Sequence, residues 1–368
     1  MMATADLSAP RAGRPAQGNP RLLARRFAVP VLIGVVAVLF VVNLAHGAYA
    51  IDTRAVLASL AVMTGLLSPE AVEAQAVAVL SGIRVPRALL AALAGGGLAL
   101  AGAVLQGLFR NPLADPGVIG VSSGAALGAA LAIVGVAALP APWRDVIAAY
   151  ALPFSAFVFA LVTTLVVYRF GRSEGGTSVA SMLLAGIAFN ALAFAGVGFL
   201  SFMATDEQLR NLTFWNLGSV GGATWPKLAV CAALCLPAGA WLLRLAGPLD
   251  ALALGFDEAR HVGVDVKRLQ RAAVLLTALV VGSLVAVTGV IGFLGLVAPH
   301  IMRLAIGPGH RVLLPCAALL GAALLLCADL GARTAMAPAE LPVGILTTAA
   351  GAPFFLALLM RVRRGGPA

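Results

Sequence analysis

The sequence predicts an all-α integral membrane protein with about ten transmembrane helices and almost no water-soluble domain. Of its 368 residues, 61% are hydrophobic and only 11% are charged. A soluble domain carries roughly 25% charged residues, because polar side chains must cover its apolar core. A chain with so little polar material requires lipid rather than water around its apolar side chains.

The apolar runs have the length that a bilayer requires. A hydrocarbon core about 30 Å thick is crossed by roughly 20 apolar residues in a helix. Ten apolar runs follow one another along the chain, and the eighth is short for a straight crossing. They lie near residues 28–46, 88–108, 117–138, 148–168, 179–203, 227–246, 272–290, 294–306, 312–330 and 342–360.

Arginines are concentrated at both ends of the chain, which has a net charge of +10. The positive-inside rule places both ends in the cytoplasm, so the number of spans is even. This charge therefore reports topology, and we expect no nucleic-acid partner. The predicted division is a disordered cytoplasmic N-terminus at 1–26, a ten-helix membrane domain at 27–361 and a cytoplasmic tail at 362–368.

One long loop, residues 247–271, lies on the cytoplasmic side in this topology. It contains two glycines at plausible helix ends, and Asp257 or Asp265 could cap a helix N-terminus. These features predict two short helices on the cytoplasmic surface. Loops of this length in compact proteins are usually functional, so we expect a cytoplasmic partner to bind here.

The chain has no P-loop of its own. That motif requires a Gly-Lys-Ser/Thr sequence, whereas the only lysines are Lys227, which follows a proline, and Lys267, which follows a valine. Any ATP hydrolysis would therefore belong to another subunit.

Enzymatic and metal chemistry are weakly indicated. Residues 120–124 match Gly-x-Ser-x-Gly, but that pattern needs a strand-to-helix turn, and here we expect a glycine-striped membrane helix. An intramembrane serine protease with His300 as its base is a remote alternative. Cys231 and Cys235 have helical spacing, but no further ligand completes a metal site.

Ion coupling is a second alternative, in the form of a stand-alone secondary transporter. Ionisable residues inside a membrane are functional candidates. Here Asp329, Arg333 and Glu340 lie near the outer ends of the ninth and tenth runs, and the mid-membrane positions are nearly free of charge. This distribution disfavours a proton relay.

Several motifs in series resemble a known family. The chain contains Arg84-Val-Pro-Arg87, an Arg-Asn-Pro-Leu-Ala-Asp-Pro stretch at 110–116, a Thr-Gly-Val-Ile-Gly-Phe-Leu-Gly-Leu-Val-Ala-Pro-His-Ile-Met-Arg stretch at 288–303, and Glu-Leu-Pro-Val-Gly at 340–344. Together they resemble the permease subunits of ATP-binding-cassette importers for iron-siderophores, heme and cobalamin.

The resemblance implies a type II importer permease that forms a homodimer in the bacterial inner membrane. It implies two cytoplasmic ATPase subunits, which bind ATP and Mg, and a periplasmic substrate-binding protein. The permease itself would have no catalytic residue, no metal site and no resident cofactor. In this family, residues 250–263 would form the coupling helices. The coupling residues would be Gly255, Phe256, Asp257, Glu258, Ala259, Arg260, His261, Val262 and Gly263.

The resemblance also assigns residues at the outer face and along the path. Arg84, Arg87 and Arg333 match arginines that receive acidic residues of the binding protein. The path and gate residues would be Ser178, Ser181, Asn190, Met203 and Arg210. His300 would be structural.

Residues 183–190 and 206–225 most resemble the heme-import branch. We therefore expect heme as the cargo, with a ferric siderophore or cobalamin as the alternative. Arg210 would meet an anionic propionate at the outer mouth, although it could instead pair with Asp206 four residues earlier.

Overall fold

The computed structural model describes residues 20–47, 51–68, 72–137, 139–173, 176–177 and 179–363. Within these residues the chain is almost entirely helical, with one short hairpin of strands β1 (Arg172–Ser173) and β2 (Gly176–Thr177). The helices are α1 (Pro20–Ala45), α2 (Thr53–Met63), α3 (Ala74–Val79), α4 (Val85–Phe109), α5 (Val121–Ala137), α6 (Ala141–Phe170), α7 (Val179–Met203), α8 (Asp206–Asn216), α9 (Trp225–Arg244), α10 (Ala246–Leu254), α11 (Phe256–His261), α12 (Val266–Thr288), α13 (Leu294–Ile306), α14 (His310–Thr334) and α15 (Val343–Arg363).

The predicted membrane helices are present. By length and composition, 7 helices in the described residues can cross a membrane. The shorter apolar helices α5, α13 and α15 occupy the remaining three predicted positions, and α13 has only 13 residues. The predicted all-α membrane fold is therefore confirmed.

The N-terminal half differs from the prediction in two places. Helix α1 begins at Pro20, inside the region predicted as disordered, and residues 1–19 lie outside the described part of the chain. The predicted outer connection 47–87 contains α2, α3 and a π-helical turn, Leu80–Arg84, that runs directly into α4. Pro86 has no backbone N–H and cannot donate the hydrogen bond that continues a regular α-helix. The π-helical turn lies directly before this proline.

Helix α4 lies at the centre of the fold and is largely buried against α14, α12 and α13. Gly95 of α4 meets the Gly321 backbone of α14, and Gly102 meets the Gly295 backbone of α13. A Cβ at either glycine of α4 would collide with a carbonyl of the neighbouring helix, so these positions permit backbone-to-backbone packing. The glycines of the second predicted span therefore mark close helix contacts.

The α5–α6 pair also packs through small residues, with Gly124 and Gly128 against the backbone of α6. Gly120, however, precedes α5: it has φ +85° and ends a 3-10 turn, Pro116–Ile119. Asp115 caps that turn by accepting a 2.7 Å hydrogen bond from the Gly117 N–H. Burial raises the pKa of the Asp115 carboxyl, and this hydrogen bond opposes the rise.

Candidate functional site

The two short surface helices predicted in the 247–271 loop are α10 and α11. Gly255, with φ +150°, separates them, and Gly263, with φ +87°, follows α11. Both backbone conformations favour glycine because it has no Cβ. Asp265 caps α12 by accepting a 2.9 Å hydrogen bond from the Arg268 N–H, so it is the capping residue of the two that the sequence suggested.

These helices are anchored on one side and exposed on the other. Leu249, Leu252 and Ala259 are fully buried, whereas Leu254 and Val262 are 74% and 67% exposed. Exposed apolar side chains beside charged ones are typical of a surface that binds another protein. Among the predicted coupling residues, Gly255 and Ala259 are buried, Phe256 is half-buried, and the exposed ones are Asp257, Glu258, Arg260, His261, Val262 and Gly263.

A single carboxylate connects α10 to the start of α14. Asp250 Oδ1 accepts a 2.8 Å hydrogen bond from the His310 backbone N–H and lies 2.7 Å from His310 Nδ1. Any displacement of α10 would therefore act directly on a helix that packs along the centre of the fold.

The three predicted docking arginines converge at the other end of α14. This helix has 25 residues, so its ends lie about 37 Å apart. Arg87 donates from Nε to Asp329 Oδ1 at 3.0 Å and from Nη1 to both Glu340 carboxylate oxygens at 3.0 and 2.8 Å. Arg333 Nε lies 3.3 Å from Asp329 Oδ2. The carboxylate of Asp329 is thus shared between two arginines.

Helix α1 supplies further acceptors for this arginine cluster. Arg333 Nη2 donates to Asn43 Oδ1 at 2.6 Å, and Arg84 Nη1 donates to the carbonyls of Leu44 and Ala45. The three arginines are only 5%, 6% and 9% exposed, and Asp329 is 0% exposed. The guanidinium groups therefore lie inside the subunit, and Glu340, with a 49% exposed side chain, is the acidic partner nearest to solvent.

Sequence reasoning found the arginines but missed Asn43 and the shared role of Asp329. A signal was available, because an acid in an apolar membrane helix is expected to have a charged partner. The spacing of Asp329 and Arg333 at i and i+4 also indicated a pair. Asn43 carried no comparable signal, since its partner is 290 residues away.

The predicted path residues are dispersed. Ser181 is exposed near the start of α7, Met203 is exposed at its end, and Ser178 lies outside the described residues. Asn190 is half-buried, accepts a 2.5 Å hydrogen bond from Ser123 Oγ and donates to the Gly117 carbonyl. The amide of Asn190 therefore holds α7 against the turn before α5.

Arg210 is exposed on α8, close in sequence to the end of α7. In the described part of the chain it forms no ion pair with Asp206, so the expected i, i+4 pairing does not occupy it. Helix α8 begins with a capping box in which Thr205 and Gln208 exchange hydrogen bonds. The capping box fixes the start of α8 without involving the guanidinium of Arg210.

The structural setting does not favour the enzymatic alternatives. The Gly-x-Ser-x-Gly segment begins at Gly120, which ends the 3-10 turn, and continues as the first turn of α5, so it does not form the strand-to-helix turn of a nucleophile elbow. Both ring nitrogens of His300 are buried without a hydrogen-bond partner, so no serine is bonded to it. Cys231 and Cys235 donate towards α12 carbonyls, and the described residues contain no cluster of three or more metal-ligating His, Cys, Asp or Glu side chains.

In the described residues, ten apolar helices, one of them buried at the centre, and a pair of short surface helices at one end make this chain a polytopic membrane protein. The chain belongs to the FecCD transport family, which matches residues 35–361. This is a family of ATP-binding-cassette transporter permeases, which are not themselves enzymes.

Known relatives agree with that assignment. The chain is 48% identical to the hemin transport system permease protein of Yersinia pestis over 281 residues, covering 76% of this chain and 83% of the relative. It is 43% identical to the vitamin B12 import system permease protein of Citrobacter koseri over 283 residues, with 77% and 83% covered. A solved structure of a metal-chelate type ABC transporter in an inward-facing conformation matches with a TM-score of 0.77 at 33% identity, covering 90% of this chain and 98% of that one.

Proposed function

We propose that this chain is the transmembrane subunit of an ATP-driven importer that moves heme from the periplasm to the cytoplasm. The observation that carries the proposal is its 48% identity to a hemin permease, against 43% to a vitamin B12 permease over a similar length. The family already makes the chain an importer permease, so this difference bears only on the cargo.

The chemistry of α7 and α8 suits heme. Heme is a flat apolar ring with two carboxylates, and α7 contains no ionisable residue. Its exposed side chains include Phe194, Phe199 and Phe202, which offer apolar surface to a ring. Arg210, exposed and without an ion pair in the described part of the chain, is available to a propionate where cargo would enter.

The proposed assembly has two copies of this chain, two ATPase subunits and one binding protein. The ATPases, which carry ATP and Mg, dock on α10 and α11 in the cytoplasm, and both termini of the permease lie on that side. Exposed Leu254 and Val262 support this docking site, since the buried core of a protein interface is more apolar than its rim and is depleted in charged residues.

The binding protein docks at the end of the molecule that holds Arg84, Arg87 and Arg333. Their burial suggests a particular form of docking. An acidic residue of the binding protein would compete with half-exposed Glu340 for Arg87, while Arg84 and Arg333 keep the site in shape through α1. Such charge contacts chiefly set encounter rate and orientation.

Proteoliposomes containing the permease, its ATPase and its binding protein test the cargo. We expect ATP-dependent accumulation of heme, and no accumulation of cobalamin or a ferric siderophore under the same conditions. The variant Arg210→Gln removes the proposed partner of the propionate and should reduce heme uptake severalfold. Cobalamin or siderophore uptake without heme uptake would refute the heme assignment and leave the importer class intact.

A further inference from the structure

A second set of basic side chains lines a cavity at the α10 end of the molecule. The cavity has a volume of about 370 Å³ and lies among the C-terminal end of α4, helix α13 and the first residue of α14. Ala253 of α10 also borders it. Its polar lining is Gln106, Arg110, Asn111, His300, Arg303 and His310, and two of the motif segments, 110–116 and 288–303, contribute to it.

Some polar atoms of the lining side chains lack partners. Both ring nitrogens of His300 and the Oε1 atom of Gln106 are buried without a hydrogen bond in the described structure. His300 is 5% exposed and Gln106 is 2% exposed. Buried polar groups are almost always satisfied, so these atoms would need a small rearrangement of the cavity wall to gain a partner.

The charge of the lining is positive. Arg110 and Arg303 form no ion pair or hydrogen bond with any described residue, and no acidic side chain lines the cavity. The nearby carboxylate of Asp250 is already engaged by His310. Arg25 of α1 adds a further cation at the rim, where its Nε donates to the Ile306 carbonyl at 2.7 Å.

This combination matches a phosphate group. Two guanidinium groups bind phosphate oxygens through paired, charge-assisted hydrogen bonds. Basic pockets between membrane helices on the cytoplasmic side commonly hold anionic lipid headgroups. Exposed Leu113 and Leu304 at this end offer contact to an acyl chain.

We propose that this cavity binds the phosphate of an anionic phospholipid headgroup of the cytoplasmic leaflet. The occupant would bridge α4 and α13 beside Ala253, and so stiffen the base on which α10 moves. The proposal concerns the permease alone and does not depend on heme being the cargo.

Native mass spectrometry and thermal unfolding of the purified full-length permease test it. Phosphatidylglycerol should remain bound and raise the unfolding midpoint by several degrees, whereas phosphatidylcholine should do neither. Replacing both cavity arginines, Arg110→Gln with Arg303→Gln, should weaken phosphatidylglycerol binding about tenfold or more. The matched control is Arg268→Gln, because this arginine is highly exposed on α12 and does not line the cavity.

Two further arms separate the outcomes. Inorganic phosphate, compared with chloride at equal ionic strength, distinguishes a free anion from a lipid. If phosphate alone stabilises the protein and phosphatidylglycerol does not, the lipid source is wrong. The variant pair Arg110→Lys with Arg303→Lys keeps the charge and guards against misfolding. Equal lipid binding by the wild type, the Gln pair and the Lys pair would overturn the site.

Discussion

Arginines near the two ends of α14 have opposite surroundings. At one end, Arg87 and Arg333 share Asp329, and each has further acceptors within the subunit. At the other end, Arg303 faces a cavity without any acidic side chain. The role of an arginine therefore follows from whether it has an acidic partner within the subunit, and not from burial alone. A paired arginine holds helices together, whereas an arginine without an internal partner is available to a ligand.

The largest effect is expected at the shared carboxylate. Asp329→Asn removes the counter-ion between two buried guanidinium groups, so it should destabilise the permease by about 3–5 kcal/mol. Thermal unfolding of the detergent-solubilised protein measures the change.

Two matched substitutions sharpen this contrast. Glu340→Gln leaves Arg87 paired with Asp329 and should cost less than about 1 kcal/mol. Arg303→Gln, at the opposite end of α14, should change stability in lipid-free detergent by less than about 0.5 kcal/mol. Equal losses in all three variants would mean that the two ends do not differ as described.

A smaller effect is expected at the ATPase-binding surface. The double variant Leu254→Asp with Val262→Asp places charges on exposed apolar positions of α10 and α11. It should weaken ATPase association about thirtyfold, which corresponds to about 2 kcal/mol, and leave permease stability unchanged. Pull-down or interferometry with the purified ATPase measures this, and Arg268→Glu on neighbouring α12 is the control. Retained affinity in the double variant would place the docking surface elsewhere.

The smallest effect concerns competition at Arg87. If an acidic residue of the binding protein displaces Glu340, then Glu340→Gln should strengthen association about threefold at low salt. The control is Asp206→Asn, which removes an exposed negative charge from α8 without touching the cluster. Weaker binding after Glu340→Gln, or the same gain in both variants, would argue against competition.

Much of this fold could be predicted from local sequence. Each apolar run became a helix because its length and composition match a bilayer, and the short eighth run became the 13-residue α13. Gly255, Gly263 and Asp265 fixed the ends of α11 and α12, since a positive φ and a side-chain cap are local properties. Gly120 was predicted to lie inside a membrane helix but precedes α5. A glycine at a helix boundary and a glycine inside a helix cannot be told apart in a single sequence.

The tertiary structure alone decided the surroundings of the charged residues. The sequence predicts that Arg84, Arg87 and Arg333 lie at the outer face, and it contains Arg110 and Arg303 in two separate motif segments. It could not determine that α1 and α14 would bury the first group among acceptors up to 290 residues away. It also could not determine that the second group would meet a cavity without acids. Pairing depends on which helices become neighbours, and that choice is made by packing between small residues on distant segments.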